Sequence, residues 1–507
     1  MYDALGNRTE TKVGDRLLAR TVYTETGDKL PIRQEFGNGG EIHLERDEFK
    51  RLRSMRMDDD EAPRYTYSYD ASGHVAKLED HALGRTLLTD RDLGYRPVRY
   101  REREGGRNIY RQSVEYDACN RISKRKEAVG ETFAKYETVY AYDVENKPTE
   151  ITLGNQGMKL TLTYDALGRV TSQALKRGSE AYTTGYVYQP GVYGDGSTTA
   201  AVEKINQQGH TYEYTQKGYL TSERRNGVKT TYEYDSLGQL KRVNDAGRQK
   251  SFTHTYDRGG NLLRKAEYAY AARGRMLGEA EKTIEYTYGD EGWKDKLTAY
   301  DGTPIQSDAI GNVVEDGTWR YSWQIGRQLA GMESAGNTVR YTYNADGLRV
   351  RKESESRGVT EYTLCGGKVV HLTRGTQDLH FWYGVGSGPV MVTYNGREYG
   401  YVYNLQGDVI GLVDVADGFT EAVTYGCDAW GKPTGCTGPM AETLGKENPF
   451  RYRGYVYDEE TGLYYLKSRY YNPEWGRFIN ADTVLGEAGD LLSQNAFAYC
   501  EPVQNFL

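Results

Sequence analysis

The sequence predicts an all-β fold, a large antiparallel sheet of stacked hairpins that coils on itself. Composition is the first reason. Of 507 residues, 60 are Gly and 46 are Tyr, while Pro numbers only 12. Tyr with Thr and Val, punctuated by Gly, suits many short strands joined by tight turns. It suits neither a helical protein built on Leu and Ala nor a disordered chain, which lacks aromatic residues. The second reason is a recurring aromatic pair with one residue between its members. It occurs at Tyr65-Thr66-Tyr67, Tyr140-Ala141-Tyr142, Tyr212-Glu213-Tyr214, Tyr232-Glu233-Tyr234, Tyr286-Thr287-Tyr288, Tyr341-Thr342-Tyr343, Tyr401-Val402-Tyr403 and Tyr455-Val456-Tyr457. A strand places both rings of such a pair on one face, whereas a helix splays them by about 200°.

A turn element accompanies the pair: an Asp or other polar residue, two variable residues, then Gly. Examples are Tyr164-Asp165-Ala166-Leu167-Gly168, Tyr234-Asp235-Ser236-Leu237-Gly238 and Tyr343-Asn344-Ala345-Asp346-Gly347. Asp or Asn in the first turn position accepts backbone N–H groups, and Gly in the fourth tolerates positive φ. Asp165 and Asp235 are therefore read as turn acceptors, and Gly168, Gly238 and Gly347 as turn-forming residues. In two repeats the fourth position is Asn120 or Asn146 instead, the other residue that visits the left-handed region readily. The expected product is a hairpin with a type I turn and a glycine bulge.

The spacing is steady: 22 residues from Tyr142 to Tyr164, 20 from Tyr214 to Tyr234 and 22 from Tyr234 to Tyr256. Each repeat thus holds about one hairpin. Hairpins that cannot bury a face alone must stack, and accumulated strand twist makes a long sheet coil or close. Trp323-Gln324-Ile325-Gly326 is one residue short of the pattern, and a distortion is expected there. Regularly placed Tyr reads as a packing ladder, with its rings paired across strands.

Other chemistry is limited. With 65 basic and 72 acidic residues the net charge is −7, which gives no general field for nucleic acid or an anionic membrane. The Arg-rich run from Arg91 to Arg111, interleaved with Asp92, Glu102 and Glu104, reads as a solvated strand face. No apolar stretch approaches the ~20 residues of a membrane helix, and the mean hydropathy is −0.77. The N-terminus has no signal-peptide pattern. It opens as Met1-Tyr2-Asp3-Ala4-Leu5-Gly6, the middle of a repeat, so the chain reads as a fragment. Five Cys are too few and too scattered for a disulfide framework. Cys427 and Cys436 are close enough in sequence to bridge a loop, with two buried thiols as the other reading. The seven His show no zinc spacing and Cys-x-x-Cys is absent, so neither a metal nor a cofactor is expected. Gly366-Gly367-Lys368 is followed by Val369, which a phosphate loop does not tolerate, and Ser387 is misplaced for a nucleophile elbow.

Tyr-Asp, two residues, Gly and often Asn or Arg resembles the YD (RHS) repeat, over most of the chain from Tyr2 to about Gly431. The end of the chain resembles the RHS repeat-associated core more specifically, over Tyr457-Asp458-Glu459-Glu460-Thr461-Gly462-Leu463-Tyr464-Tyr465-Leu466-Lys467-Ser468-Arg469-Tyr470-Tyr471-Asn472-Pro473-Glu474-Trp475-Gly476-Arg477-Phe478. The resemblance implies residues 1–448 as repeat shell and 449–507 as core. It implies a hollow shell of spiralling sheet, closed by the core, around a C-terminal toxic polypeptide that aspartyl self-cleavage frees inside. Bacterial Rhs proteins, the C components of insecticidal toxin complexes, wall-associated contact-dependent toxins and the animal teneurins are the kin this points to. The family's catalytic region falls on Gly476-Arg477-Phe478-Ile479-Asn480-Ala481-Asp482-Thr483. Asp482 matches the first carboxylate and Arg477 the Arg of the motif. Asn472 stands where the family usually has Asp, and Thr483 where it has Pro. The second carboxylate, in an Asp-Pro-x-Gly segment, is expected just past Glu501-Pro502-Val503-Gln504-Asn505-Phe506-Leu507. A structural ion pair is the other reading of Arg477 and Asp482.

The expected function is a secreted or surface-displayed bacterial toxin container, monomeric, whose partners are its own toxin segment and delivery machinery. A cell-surface carbohydrate- or protein-binding module is the alternative, with Tyr and with Trp382, Trp430 and Trp475 stacking on the ligand. The container needs its tyrosines inside or between layers. The binder needs them facing solvent. At most a single-turnover self-cleavage is expected as enzymatic activity.

Overall fold

The structure is a computed structural model. It describes residues 1–482 and 494–499, apart from 27, 59, 131–133, 155, 156, 192–196, 206–208 and 216. Thr483, Cys500 and the stretch from Glu501 to Leu507 lie outside the described residues. Short antiparallel strands make up nearly all of the regular structure; the one α-helix among the described residues is Leu444–Glu447. The chain forms two compact units, one of Met1–Lys159 with Gln306–Gly396 and one of Leu160–Ile305 with Arg397–Leu507.

In both units a strand pairs with the next one in sequence. Tyr65–Tyr69 pairs with Val75–Asp80, that strand with Arg85–Arg91, and Arg85–Arg91 with Pro97–Glu104. Two such runs face each other in the first unit. Tyr65 donates its hydroxyl to the Tyr343 carbonyl at 3.3 Å, Arg85 reaches Glu361 at 3.1 Å and the Gln112 amide reaches Cys365 Sγ at 2.9 Å. The second unit is layered likewise, with the Leu405 N–H donating to Tyr212 Oη at 3.3 Å and Arg225 to the Ile410 carbonyl at 3.3 Å. It ends in a four-stranded sheet of Val456–Asp458, Leu463–Tyr465, Tyr470–Asn472 and Arg477–Phe478.

The turns carry the repeat. Asp165 Oδ1 accepts the N–H groups of Leu167 and Arg169, both at 3.0 Å, while Gly168 N–H closes on the Asp165 carbonyl at 2.9 Å. Asp235 does the same for Leu237 and Gln239, both at 2.9 Å. The fourth position is left-handed, at φ 81° in Gly168 and Gly238 and 72° in Gly347. Lys50 (φ 66°) and Tyr95 (φ 63°) also occupy it, so the position is wider than Gly and Asn. Strand register slips by one residue just before the tyrosine of Tyr-Asp, as at Ser68/Tyr69, Ala141/Tyr142, Glu233/Tyr234 and Thr342/Tyr343. This is the bulge that aims the ring.

Each ring is then held by the preceding hairpin. Tyr142 donates its hydroxyl to the Ile122 carbonyl at 2.8 Å, and Arg121 lies over its ring at 4.5 Å while its Nε bonds Asp117 Oδ2 at 2.7 Å. The pattern recurs with Tyr69 and Arg51, Tyr116 and Arg96, and Tyr188 and Arg169. A planar guanidinium can stack on a ring and fork onto a carboxylate at once, which a Lys cannot.

The first ring of five of the eight aromatic pairs is buried, at Tyr65, Tyr212, Tyr286, Tyr341 and Tyr401, while Tyr140, Tyr232 and Tyr455 are half-buried. Trp382 and Trp475 are buried as well, and Trp430 is half-buried with its N–H on His254, so none of the three forms a solvent-facing stacking row. The Arg91–Arg111 run is not all solvated either. Alternation turns Glu102 inward onto Arg85 at 3.3 Å, while Arg101 pairs with Asp90 at 2.8 Å. Cys427 and Cys436 are free thiols. Cys436 is exposed rather than buried, because Pro433–Thr437 is an edge strand exposed at every residue. At Trp323–Gly326 the missing residue is absorbed by consecutive left-handed residues, Ile325 and Gly326. The Gly326 carbonyl takes the Asn38 and Asn312 amides at 2.8 and 2.7 Å, and a Cβ there would stand 2.2 Å from the Phe36 ring.

Two glycines separate backbone strain from crowding. A Cβ at Gly347 meets nothing closer than Gln328 Nε2 at 3.6 Å, whereas at Gly238 it would stand 2.6 Å from the Tyr219 hydroxyl. Gly347→Val should cost roughly 1–2 kcal/mol and Gly347→Asn far less, because Asn tolerates positive φ. Gly238→Asn should cost more than Gly347→Asn, since Tyr219 must also move. Thermal midpoints of the three variants check this, and equal midpoints would remove the turn assignment.

Candidate functional site

The segment following the repeats is dense in tyrosine, and the structure uses the hydroxyls as much as the rings. Tyr452, Tyr464, Tyr471 and Phe478 form a buried cluster with Tyr455, Tyr457 and Tyr499 packed against it. Three of these hydroxyls donate to three consecutive carbonyls: Tyr452 to Ala429 at 3.3 Å, Tyr471 to Trp430 at 2.7 Å and Tyr464 to Gly431 at 2.8 Å. A Cβ on Gly431, at φ 84°, would stand 2.5 Å from the Tyr452 ring. Thus only glycine fits under the cluster. Arg451 is buried over the Tyr425 ring at 4.0 Å, its guanidinium donating to the carbonyls of Gly445, Asn448 and Phe450 and to Glu459.

The turn between the last two strands is received by the repeat strands. Lys265 Nζ donates to the Glu474 carbonyl at 3.1 Å, Tyr300 to Glu474 Oε1 at 3.1 Å and Tyr286 to the Trp475 carbonyl at 3.1 Å, while Lys432 pairs with Glu474. Burial lowers the Lys265 ammonium to about 8, partly offset by Asp428 and Glu474. Its Nζ lies 4.9 Å from the Trp430 ring centre. The Trp430 N–H donates to His254 Nε2 at 3.0 Å, which requires a neutral imidazole, and burial holds that ring down at about 3.

Arg477 and Asp482 lie at the end of this segment and serve different partners. The Arg477 guanidinium is buried, bonded to the Tyr288 hydroxyl and the Asp295 carbonyl, with the Phe497 ring 5.3 Å away. Asp482 is half-buried and pairs with Arg469 at 2.9 Å. Arg469 in turn lies 3.6 Å over the Phe478 ring. The motif Arg therefore anchors the segment to the repeat strands, and a different Arg faces the carboxylate. The returning stretch Asn495–Tyr499 pairs with this segment, Phe478 N–H donating to the Phe497 carbonyl at 3.0 Å and Asp482 N–H to the Ala496 carbonyl at 2.8 Å.

Beside the docked turn lies a cavity of about 880 Å³, its lining including Glu223, Tyr232, Lys265, Trp430, Arg453 and Tyr499. Glu223 accepts the Tyr232 hydroxyl at 2.6 Å, and burial raises its carboxyl. Aromatic faces with charges of both signs suit a polypeptide with mixed side chains better than a small apolar ligand. Among the described residues no group of three His, Cys, Asp or Glu is placed to hold a metal. Sequence reasoning missed Lys265, Asp295 and Arg469. Tyr286-Thr287-Tyr288 was the one available signal, as an aromatic pair, but nothing in it distinguished a docking pair from a packing pair.

The buried His254 makes this unit sensitive to acid. Unfolding returns the ring to its ordinary value near 6.5, so between pH 6.5 and about 3 the unfolded chain binds a proton that the folded chain refuses. Stability therefore falls as pH drops through that window. His254→Gln keeps an acceptor for Trp430 without titrating. Denaturation at pH 7 and pH 5 should show the parent losing about 2 kcal/mol more than the variant, and equal losses would mean that His254 is protonated in the fold.

The profile of the Teneurin YD-shell family matches residues 86–266. The chain is 37% identical over 219 residues to the tRNA3(Ser)-specific nuclease WapA of Bacillus spizizenii, covering 41% of this chain and 9% of that protein. It is 25% identical over 389 residues to the probable deoxyribonuclease RhsB of Dickeya dadantii, covering 71% of this chain and 25% of that one. The chain thus spans a tenth to a quarter of the length of these relatives. Among solved structures it resembles the crystal structure of TcdB2-TccC3-TEV with a TM-score of 0.75 at 16% identity, over 98% of this chain and 29% of that one. With the Tyr-Asp hairpins and their bulged tyrosines in place, these likenesses support a YD/RHS-repeat shell protein.

Proposed function

We propose that the chain is part of a container that encloses and delivers a toxic polypeptide carried C-terminal to it, acting outside the producing cell or at its surface. The observation that carries this reading is the disposition of the aromatic residues. Rings and hydroxyls are turned inward and spent on holding hairpins and the terminal sheet together, which is what a wall needs and a carbohydrate-binding face does not. The names of the relatives, nucleases much longer than this chain, support a toxic cargo. The tyrosine-rich terminal sheet, from about residue 449 onward, is the closure of the wall.

Self-cleavage is the second part of the proposal. Asp482 supplies one of two carboxylates, the other coming from sequence beyond Leu507. One carboxylate, unprotonated, takes a proton from water. The oxygen adds to the scissile carbonyl, the C–N bond breaks, and the protonated partner gives its proton to the leaving amine. Arg469 holds the Asp482 carboxylate in place.

Expression of the chain read through beyond Leu507 should give two bands on a denaturing gel, and Asp482→Asn a single full-length band with an unchanged fold. The smaller fragment should co-elute with the larger in native buffer and resist added protease until denaturant is present. A digestible fragment would argue against enclosure. Cleavage surviving in Asp482→Asn would leave that residue only as a partner of Arg469.

A further inference from the structure

The end of the chain is tied to one repeat turn by a closed set of side-chain bonds. In the turn Asp257–Asn261, Asp257 Oδ1 accepts the N–H groups of Gly259 and Asn261 at 2.8 and 2.9 Å, the usual arrangement of this repeat. Asn261 then departs from its counterparts. Asn261 is buried at 2% exposure, and both ends of its amide are engaged. Nδ2 donates to Asp257 Oδ2 at 2.9 Å and to Asp295 Oδ1 at 3.1 Å, while Oδ1 accepts Asn495 Nδ2 at 2.8 Å. Asn495 Nδ2 also reaches the Gly259 carbonyl at 3.2 Å. The Asp295 carbonyl, on the same residue that Asn261 holds, receives Arg477. Arg477 bridges back to Ala498, three residues from Asn495.

Two stretches of the terminal segment, the strand at Arg477 and the turn at Asn495, are therefore gripped through neighbouring residues of the repeat wall. Phe497 is held between Trp293, 5.2 Å away, and Arg477. Asn495 Oδ1 accepts the N–H groups of Phe497 and Ala498, both at 3.1 Å. Asp482 is bonded through its own N–H to Ala496, the residue next to Asn495. Wherever Asn495 is placed, the main chain of Asp482 is placed with it.

Resting on the self-cleavage reading above, we propose that Asn261 is a positioning residue for that reaction: a wall residue that fixes Asn495 and, through the Ala496–Asp482 pairing, the catalytic carboxylate. It touches neither the water nor the scissile bond. An amide is the side chain that serves here, because the same group must donate to two carboxylates and accept from an amide. A positioning error of about 1 Å can cost on the order of 100-fold in rate.

The test uses the chain read through beyond Leu507, following cleavage over time. Asn261→Leu, of similar size without donor or acceptor, should slow cleavage by at least tenfold while the thermal midpoint stays close enough for a folded protein at the assay temperature. Asn495→Ala, which leaves the wall turn intact, should give a similar loss and guards against misfolding of the turn. Asn261→Asp supplies the discriminating readout. Its carboxyl would replace the amide between Asp257 and Asp295, with Arg477 bonded to the Asp295 carbonyl and to the Tyr288 hydroxyl, and it can donate, to one of those two carboxylates at a time, only when protonated. Its rate relative to the parent should rise as pH falls, whereas the ratio for Asn261→Leu should stay flat. A parent that never cleaves overturns the self-cleavage reading and this role with it. A parent that cleaves, with Asp482→Asn inactive but Asn261→Leu and Asn495→Ala at parental rate, overturns the role of Asn261 alone. A flat ratio for Asn261→Asp would reduce the residue to a structural part of the turn.

Discussion

The structure depends on a carboxylate that cannot leave its own turn. An Asp at the first turn position satisfies two backbone N–H groups with one oxygen and, where Arg follows four residues later, grips it with the other. The turn is thereby closed, the bulge before it is set, and the tyrosine of the pair points back toward the hairpin that precedes it. The following Arg covers the next tyrosine in the same way. Each hairpin thus borrows its order from one neighbour and lends it to the other, which is the nearest-neighbour logic of a repeat array. Without this link the strands would be short, polar on one side and unable to bury a face.

Much of this was legible in the residues. Aromatic spacing of two demanded strand, and the Asp-x-x-Gly element demanded a tight turn with a left-handed fourth residue, so strand and turn positions could be read from Tyr142 to Tyr256 without coordinates. Lys50 and Tyr95 in left-handed backbone were not legible, because nothing in either side chain asks for positive φ; the surrounding turn imposes it. The role of Arg at the fifth position was visible only as a frequent residue. Its bond to Asp and its stacking on the next ring require knowing that sequential hairpins lie side by side.

The site was less legible, for a related reason. Arg477 and Asp482 stand five residues apart in a motif, which suggests that they work on each other. A two-residue strand, Arg477–Phe478, sends the guanidinium toward Tyr288 and Asp295 instead, and Arg469, just before the neighbouring strand Tyr470–Asn472, faces Asp482. Partners separated by 8 to 234 residues, as Arg451 with Glu459 or Asn495 with Asn261, leave no mark on local spacing. Lys265 is the plainest case: a lone Lys in a strand gives no hint that a carbonyl from position 474 will meet it.

The backward reach of the tyrosine clasp also bears on how such a chain can change over generations. Tyr142 leans on Ile122 and Arg121, one hairpin earlier and no further. A duplication or deletion of about 22 residues, cut at equivalent points in two turns, leaves every remaining tyrosine with a carbonyl and a preceding turn to rest on. Cuts at other points strand a ring without its partner. Unequal crossing-over between repeats is therefore filtered toward whole hairpins, and wall length becomes a quantity that lineages can adjust in steps. The exceptions are hairpins holding a singular contact, such as the turn at Asn261, whose loss no neighbouring copy can make good.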